Sequence, residues 1–406
     1  MMANRKGLPL LKVATLNTWH GLDGHGTFRF GSLETRAERM ARLNRQITAL
    51  KNLKADILLL QELNPLPFRA HWYASKLGLR ATYVTCNSGI KLGWGPPFNL
   101  NEGVGIFFPT DWQYQVLGKK RLSGEFRLSP FRISAINNPF YSFQLHESRV
   151  AFAVRLFIPP EKRVGAYEGR TSLIAVVAHL HVSPAQTPRN QHIVQQALEQ
   201  GHIAKEDVGL ILRSFKSANT RRLNEVENLL TWIETLRRPD EPVIMGGDFN
   251  CEPESPPYNA IIRRGWADLW LESGNPDELL ASATWDAPRN SLTARVKDFQ
   301  HSLKIKHPNV AEVLKETDSI PRRIDFLFGL PAKETPAQKE FQLGSSGCLG
   351  KVSRFGYLTG NPIGEDSVVC DDFIEYQSRQ EFVSNPGDDA KFISDHHGLY
   401  AEFGLN

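Results

Sequence analysis

Residues 246–250 read Gly-Gly-Asp-Phe-Asn and place a carboxylate and a carboxamide directly after an apolar run. The two glycines allow a tight turn without Cβ clashes. Asp248 can orient a water or bind a metal there, and Asn250 can donate an amide hydrogen to a phosphate oxygen. A plain turn accounts for the same residues equally well. Ser394, Asp395 and His396 precede the last apolar run of the chain. An Asp beside a His can supply a hard metal ligand and a general acid or base, although such pairs are also common in loops. Asp325 lies inside the run Ile-Asp-Phe-Leu-Phe, where an unpaired carboxylate is costly. It needs a partner: a protonated His, a metal, or a salt bridge to Arg322 or Arg323.

Three further polar residues stand at the ends of apolar runs. Asn17 closes Val-Ala-Thr-Leu-Asn, and Glu62 follows Ile-Leu-Leu-Leu-Gln. Each is either a strand terminator or a cap on one reading, and a metal-site residue on the other. His179 and His181 lie two apart in Ala-His-Leu-His-Val, so on a strand they share a face. No third His or Cys is spaced to make a zinc site with them. A lone His at a strand end is more often structural than catalytic.

These residues need a frame that brings strand ends together. Residues 11–17, 55–61, 103–108, 150–158, 172–178, 242–246, 324–328 and 399–403 read as strands. The unbroken run at 55–61 is that of a strand buried on both faces. Residues 33–53, with Leu43, Ile47 and Leu50 at helical spacing, and residues 221–236 read as helices. Polar residues emerging at one edge of such strands are the usual place for an α/β active site. Long polar stretches near 118–147, 183–220, 291–322 and 332–391 show no internal repeat and read as insertions. Length alone would allow two or three domains, but the motifs span the chain, so residues 1–406 are expected to form one domain.

The composition, 41% hydrophobic and 23% charged, is that of an ordinary globular protein rather than a disordered or membrane-embedded chain. A net charge of +4 favours approach of anionic substrates but is too small to establish nucleic-acid binding. Cys86, Cys251, Cys348 and Cys370 form no Cys-x-x-Cys pair and fit buried thiols, with one Cys348–Cys370 disulfide left open. The apolar stretch near the N-terminus is broken by Pro9 and Lys12, so neither a signal peptide nor a transmembrane helix is expected. The expected location is therefore cytoplasmic, with export by a signal-independent route left open.

The order of the pieces decides between their readings. Asn17, the Gln-Glu at 61–62, Glu-Gly-Val-Gly-Ile-Phe-Phe from 102, His-Leu-His, Gly-Asp-Phe-Asn, Ile-Asp-Phe and Ser-Asp-His follow one another along the chain. That series resembles the endonuclease/exonuclease/phosphatase superfamily over residues 12–403. The resemblance implies a DNase-I-like four-layer α/β sandwich, with two central sheets flanked by helices. It further implies Glu62 as the main Mg²⁺ ligand, with Mn²⁺ a substitute, and Asn17 and Asp395 close to the metal. On the same grounds Asp248 orients or deprotonates the attacking water, Asn250 and His179 bond phosphate oxygens, and Asp325 pairs with a catalytic His396. Which of Asp248 and His396 takes the proton, and what His181 does, stay open.

The implied activity is hydrolysis of a phosphodiester, in a phospholipid or a nucleic acid. The His-Leu-His motif and the Arg-Arg-Ile-Asp-Phe-Leu-Phe-Gly context resemble the neutral sphingomyelinase branch. No evident membrane-docking element stands out; the apolar loops at 93–98 and 139–143 read either as peripheral lipid contacts or, more often for such stretches, as buried loop packing. A nuclease is the alternative, with Arg121, Arg127, Arg132 and Arg149 as candidate groove residues. The Trp-Cys-Asp-Arg signature of inositol phosphatases is absent around Asp325. A non-catalytic binding protein on this fold would be expected to lose one of the Glu, Asp or His positions, and none is lost. Oligomeric state is not legible in the sequence.

Overall fold

A computed structural model describes residues 11–21, 33–91, 98–124, 143–144, 148–160, 172–182, 184–239, 241–275, 282–287, 290, 292–293, 308–332, 349–358, 369–370 and 393–405. The first half of the chain forms β1 (Leu11–Asn17), α1 (Arg36–Leu53), β2 (Ile57–Leu63), α2 (Phe68–Leu77), β3 (Leu79–Lys91), β4 (Phe98–Pro109), β5 (Gln113–Ser123), β6 (Phe143–Gln144), β7 (Arg149–Phe157) and β8 (Ser172–His179). The second half forms α3 (Pro188–Glu199), α4 (Lys205–Leu236), β9 (Val243–Asp248), α5 (Pro256–Arg263), β10 (Ala267–Asp268), α6 (Leu269–Glu272), α7 (Pro308–Asp318), β11 (Asp325–Leu330), β12 (Leu349–Leu358), β13 (Val369–Cys370) and β14 (Gly398–Leu405).

The strands build two mixed sheets. One has eight strands in the order β13-β12-β14-β1-β2-β4-β3-β6, the other six in the order β10-β11-β9-β8-β7-β5. Alternation along the strands decides how they stack. Val13, Leu59 and Ile106 of the first sheet meet Phe152, Val154, Ala175, Val177 and Ile244 of the second in one buried core. The opposite side chains of the first sheet, Ala14, Leu16, Leu58 and Leu60, pack on Leu43, Ile47 and Leu50 of α1 and Tyr73 of α2. Those of the second, Ala151, Val176, Met245 and Phe328, pack on Val226, Leu229 and Ile233 of α4 and Ile261 of α5. The layers therefore run helix, sheet, sheet, helix, the four-layer α/β sandwich expected from the sequence.

Two parallel pairs bring the polar strand ends to one edge. β1 and β2 run parallel with Asn17 opposite Gln61, and β8 and β9 run parallel with His179 opposite Asp248. Parallel neighbours need a crossover, supplied by α1 in the first case and by α3 and α4 in the second. β11 enters antiparallel to β9, so its first residue, Asp325, sits opposite Asp248.

Several boundaries differ from the sequence expectation. The first helix starts at Arg36, capped by the Thr35 side chain accepting from the Glu38 N–H. Glu62 is not past the end of its strand but inside it, at an irregularity where Leu60 pairs with Gly105 and Leu63 with Gly103. That bulge carries Glu62 at φ +56° and re-aims its side chain. The helix expected at 221–236 begins at Lys205, well inside the stretch read as a polar insertion at 183–220, which also holds α3. Its polar face hid it: Ile211, Phe215 and Ala218 are its only fully buried positions before Arg222. The stretch at 332–391 likewise supplies β12 and β13 to the larger sheet. β8 ends at His179, so His181 lies beyond the strand and the shared-face argument for the two histidines does not hold. Residues 1–10, Cys348, Arg127, Arg132 and most of the loops at 93–98 and 139–143 lie outside the described residues. Cys86 and Cys251 are buried free thiols. No described helix is long and apolar enough to cross a membrane.

Candidate active site

Asp248 is the hub of the strand-end cluster. Its Oδ1 accepts the Asn250 backbone N–H at 2.9 Å, and its Oδ2 accepts the Asn17 Nδ2–H at 3.1 Å. The same Oδ2 lies 3.5 Å from His179 Nε2 and 3.8 Å from His396 Nε2. Two glycines in front of Asp248 make this approach feasible. A Cβ on Gly247 would stand 1.9 Å from the Ala178 carbonyl oxygen, so only glycine lets β9 lie so close to β8. Asn250, at φ +49°, turns back so that its Nδ2 donates to the Leu180 carbonyl at 3.1 Å. That tie holds the amide at the end of the histidine strand.

Glu62 sits on the far side of Asn17, whose Nδ2 also donates to Glu62 Oε1 at 2.9 Å. The His20 backbone N–H donates to Glu62 Oε2 at 2.9 Å, and its ring Nε2 lies 3.5 Å from that oxygen. The loop carrying His20 is pinned by α1: Arg42 and Gln46 both donate to the Thr18 carbonyl, at 2.7 and 3.0 Å. Arg42 in turn is locked to Glu34 through Nε at 2.7 Å. His179 Nε2 is 3.9 Å from Glu62 Oε1, and Arg149 Nη1 rests 3.1 Å from that same ring nitrogen.

Asp325 and His396 form the third part. His396 Nδ1 is 2.8 Å from Asp325 Oδ2, which directs Nε2 toward Asp248. The salt bridges considered from sequence do not form: Arg323 binds Asp268 at 2.6 Å and Arg322 binds Asp318 at 3.3 Å. Ser394 anchors the segment, its Oγ donating to the Asn17 carbonyl at 2.6 Å and lying 3.1 Å from Asp395 Oδ1. Thr284 clamps both halves. Its Oγ1 accepts from the Ile324 and Asp325 N–H groups, each at 3.0 Å, and its carbonyl accepts from the His397 N–H at 2.7 Å. Trp285 packs edge-on against the His396 ring at 5.1 Å.

The structure thus brings Asn17, Glu62, His179, Asp248, Asn250, Asp325, Asp395 and His396 to one edge of the sandwich. The profile of the Endonuclease/Exonuclease/phosphatase family matches residues 14–396, nearly the whole chain. The chain belongs to that family. No curated protein is a match. Among solved structures, it is similar to an endonuclease/exonuclease/phosphatase family protein from Bacteroides thetaiotaomicron, at 15% identity and TM-score 0.49, covering 98% of each chain. It is also similar to D. rerio TDP2 solved with a single-strand DNA product, at 14% identity and TM-score 0.49, covering 98% of this chain and 99% of that one. A mannosyl-6-phosphatase of Bacteroides thetaiotaomicron aligns at 15% identity and TM-score 0.45, covering 97% of this chain and all (100%) of that one.

Members of this family are hydrolases acting on phosphoesters and generally use divalent metals. The buried charges here suit that chemistry. Burial pushes the Asp248 carboxyl up to about 7, with His396 opposing and Asp325 and Glu62 adding to the rise. Burial likewise lifts Asp395 to about 6 against the pull of His396. Burial would raise Glu62 too, but His20, His179 and the hydrogen bonds from His20 and Asn17 outweigh it and hold the group at about 2. For His396 burial works to remove the proton, yet Asp325, Asp395 and Asp248 together keep it well above the ordinary imidazole range. Ligand atoms of Asp248, Asp325 and His396 all lie within 4.8 Å of one another. Asp325 Oδ1 is buried with no hydrogen-bond partner among the described residues. A crowded set of buried carboxylates with an orphaned oxygen, and oxygen donors in excess of nitrogen, fits a hard divalent cation.

Some of these residues had no assigned role in the sequence reading. Glu102 stands inside the Glu-Gly-Val-Gly-Ile-Phe-Phe motif, and its Oε1 is 3.9 Å from His179 Nδ1. His20 follows Asn17 by three residues, a signal available from proximity alone. Thr284 and Trp285 lie in a stretch with no flanking apolar run, and only tertiary contacts reveal them.

Proposed function

We propose that this protein is a Mg²⁺-dependent phosphodiester hydrolase. The observation that carries the reading is the convergence on Asp248: two amide donors orient its oxygens, and His179 and His396 flank it from opposite partners. Glu62 is the residue to hold the metal, with Asn17 and Asp395 beside it. A bound Mg²⁺ neutralises the phosphate and steadies the leaving oxygen. The chain's own residues do the remainder. Asp248 orients the attacking water, and Asp248 and His396, 3.8 Å apart, handle its proton. His179, with the Arg149 cation against its ring, and Asn250 donate to the non-bridging oxygens.

For the substrate, the His-Leu-His and Arg-Arg-Ile-Asp-Phe-Leu-Phe-Gly stretches support a sphingomyelinase-like phospholipid phosphodiesterase. A second reading, a nuclease, has a structural observation in its favour: a groove on α4 lined by Arg213, Lys216 and Arg221. The test is hydrolysis of bis-p-nitrophenyl phosphate with Mg²⁺ and with excess chelator. Activity that survives the chelator refutes the metal role. Supercoiled plasmid and sphingomyelin vesicles assayed side by side then separate the two substrates.

A further inference from the structure

His20 is the partly exposed residue of a loop that is otherwise buried and tied down on both sides of it. Before it, the Thr18 N–H and hydroxyl both donate to the Gln61 carbonyl, at 3.0 and 2.8 Å. Trp19 is buried at φ +53°, a conformation that a bulky side chain rarely adopts. Its N–H donates to Asn17 Oδ1 at 3.0 Å, and the Arg42 guanidinium lies over its ring at 4.8 Å. After His20, Gly21 sits at φ +65°, and a Cβ there would stand 2.7 Å from Glu34 Oε2. Strain of this kind persists only where the surroundings over-determine it, and it gathers at working sites. Its effect here is to turn one side chain, His20, onto Glu62.

Two polar groups of His20 approach the same carboxylate oxygen. The backbone N–H donates to Glu62 Oε2 at 2.9 Å, whereas ring Nε2 stands off at 3.5 Å. A closed imidazolium–carboxylate pair would draw in to about 2.7–2.9 Å. Two donors each about 2.1 Å from one cation stand roughly 3.0 Å apart at octahedral angles and roughly 3.4 Å at tetrahedral ones. The 3.5 Å gap is thus closer to that of two ligands on one ion than to that of a closed pair. Asn17 is less suited to be the second donor. Its Nδ2 hydrogens go to Glu62 and Asp248, at 2.9 and 3.1 Å, and its Oδ1 faces the Trp19 N–H. The His20 side chain, 23% exposed, is also open to an arriving ion.

We propose that His20 Nε2 is a second protein ligand, beside Glu62, to the divalent cation, and that this nitrogen tilts the site from Mg²⁺ toward transition ions such as Mn²⁺. The proposal rests on the reading of Glu62 as the metal residue and deepens it. Carboxylate and water alone serve Mg²⁺ and Mn²⁺ alike, whereas an imidazole in the set favours first-row transition ions. His20 follows Asn17 by three residues, so the rigid turn that closes β1 places it beside Glu62.

The experiment loads the full chain with one equivalent of Mn²⁺ and records electron spin echo envelope modulation, which detects a nitrogen bonded directly to the ion. Wild type is compared with His20→Ala, His20→Gln and Glu62→Gln, each checked in EDTA for an unchanged melting profile. The backbone N–H donated to Glu62 is kept in both His20 variants, so only the ring is lost. Wild type is expected to show imidazole nitrogen, and both His20 variants to lack it. Mn²⁺ affinity, read from the free-ion resonance, should fall about 10- to 100-fold in His20→Ala, the range that loss of a supporting group at a metal site already costs. Mg²⁺ affinity, read by competition against Mn²⁺, should fall by less. His20→Gln, which offers an oxygen in place of the ring nitrogen, should narrow the gap between the two ions. Nitrogen modulation that persists in His20→Ala belongs to another histidine and overturns the proposal. So does its absence from wild type, or Mn²⁺ affinity within twofold of wild type in His20→Ala. The two readings fail separately. Mn²⁺ binding that depends on Glu62 but shows no nitrogen in wild type refutes His20 alone. Mn²⁺ bound equally well by wild type and Glu62→Gln refutes the metal role of Glu62, and this proposal with it.

Discussion

Replacing Asp325 with Asn tests the pairing that orients His396. The two side chains are buried, at 1% and 4% exposure, and joined by a 2.8 Å contact between Oδ2 and Nδ1. Breaking a buried charged pair by neutralising one partner costs about 3–5 kcal/mol. Each ~1.36 kcal/mol carried into the transition state is tenfold in rate. If the pair acts only as His396 meets the reacting phosphate, the loss in kcat is about 10²- to 10⁴-fold. The Asn amide also presents hydrogens where Oδ1 now has no partner among the described residues, so some stability is lost as well, about 1–3 kcal/mol. The assay is bis-p-nitrophenyl phosphate turnover with Mg²⁺ across pH, with thermal melts to separate rate from folding. The alkaline limb of the pH–rate profile should move to lower pH, because Asp325 is the leading charge that keeps the proton on His396. A folded variant within tenfold of wild type and with an unmoved profile refutes the reasoning.

Other outcomes follow from the same geometry. Glu62→Gln should abolish stabilisation by Mg²⁺, which in the wild type amounts to about 2.7 kcal/mol at a hundredfold excess over Kd; equal melting shifts in both proteins would remove Glu62 from the metal site. Gly247→Ala meets backbone rather than a flexible side chain, at 1.9 Å from the Ala178 oxygen, and should destabilise by at least about 3 kcal/mol in urea titrations. In metal-free protein, Asp248 and Asp395 are raised to about 7 and about 6, so the folded state holds their protons more tightly than the unfolded chain. Stability is then full below the ordinary carboxylate range and declines as pH rises through 6 to 7. Denaturation midpoints that rise over this window would contradict the arrangement.

The strands were legible because their apolar runs are continuous and end in polar residues. β1 was bounded correctly from composition alone, and β9 and β11 were placed to within two residues at most sites. The first half of α4 was not legible. Its residues before Arg222 are mostly polar, since that face lines an open groove rather than a core. Helical periodicity is strong only where one face is buried deeply. The bulge at Glu62 was also invisible, because register depends on the partner strand and not on the residue itself.

By itself the sequence determined which residues could do chemistry and in what order they occur. Asn17, Glu62, His179, Asp248, Asn250, Asp395 and His396 each close or flank an apolar run, and Asp325 lies inside one. The partners were decided by tertiary structure alone. Asp325 could have bound Arg322, Arg323 or a histidine, and it binds a histidine 71 positions away because β11 runs antiparallel beside β9. Asn17 reaches Asp248 across 231 positions because two parallel pairs end at one edge. Local composition encodes burial and period, whereas the proximity of distant carboxylates depends on how the sheets stack. Thr284, Trp285 and the α4 groove emerge only at that level, where side chains unremarkable in sequence meet residues far along the chain.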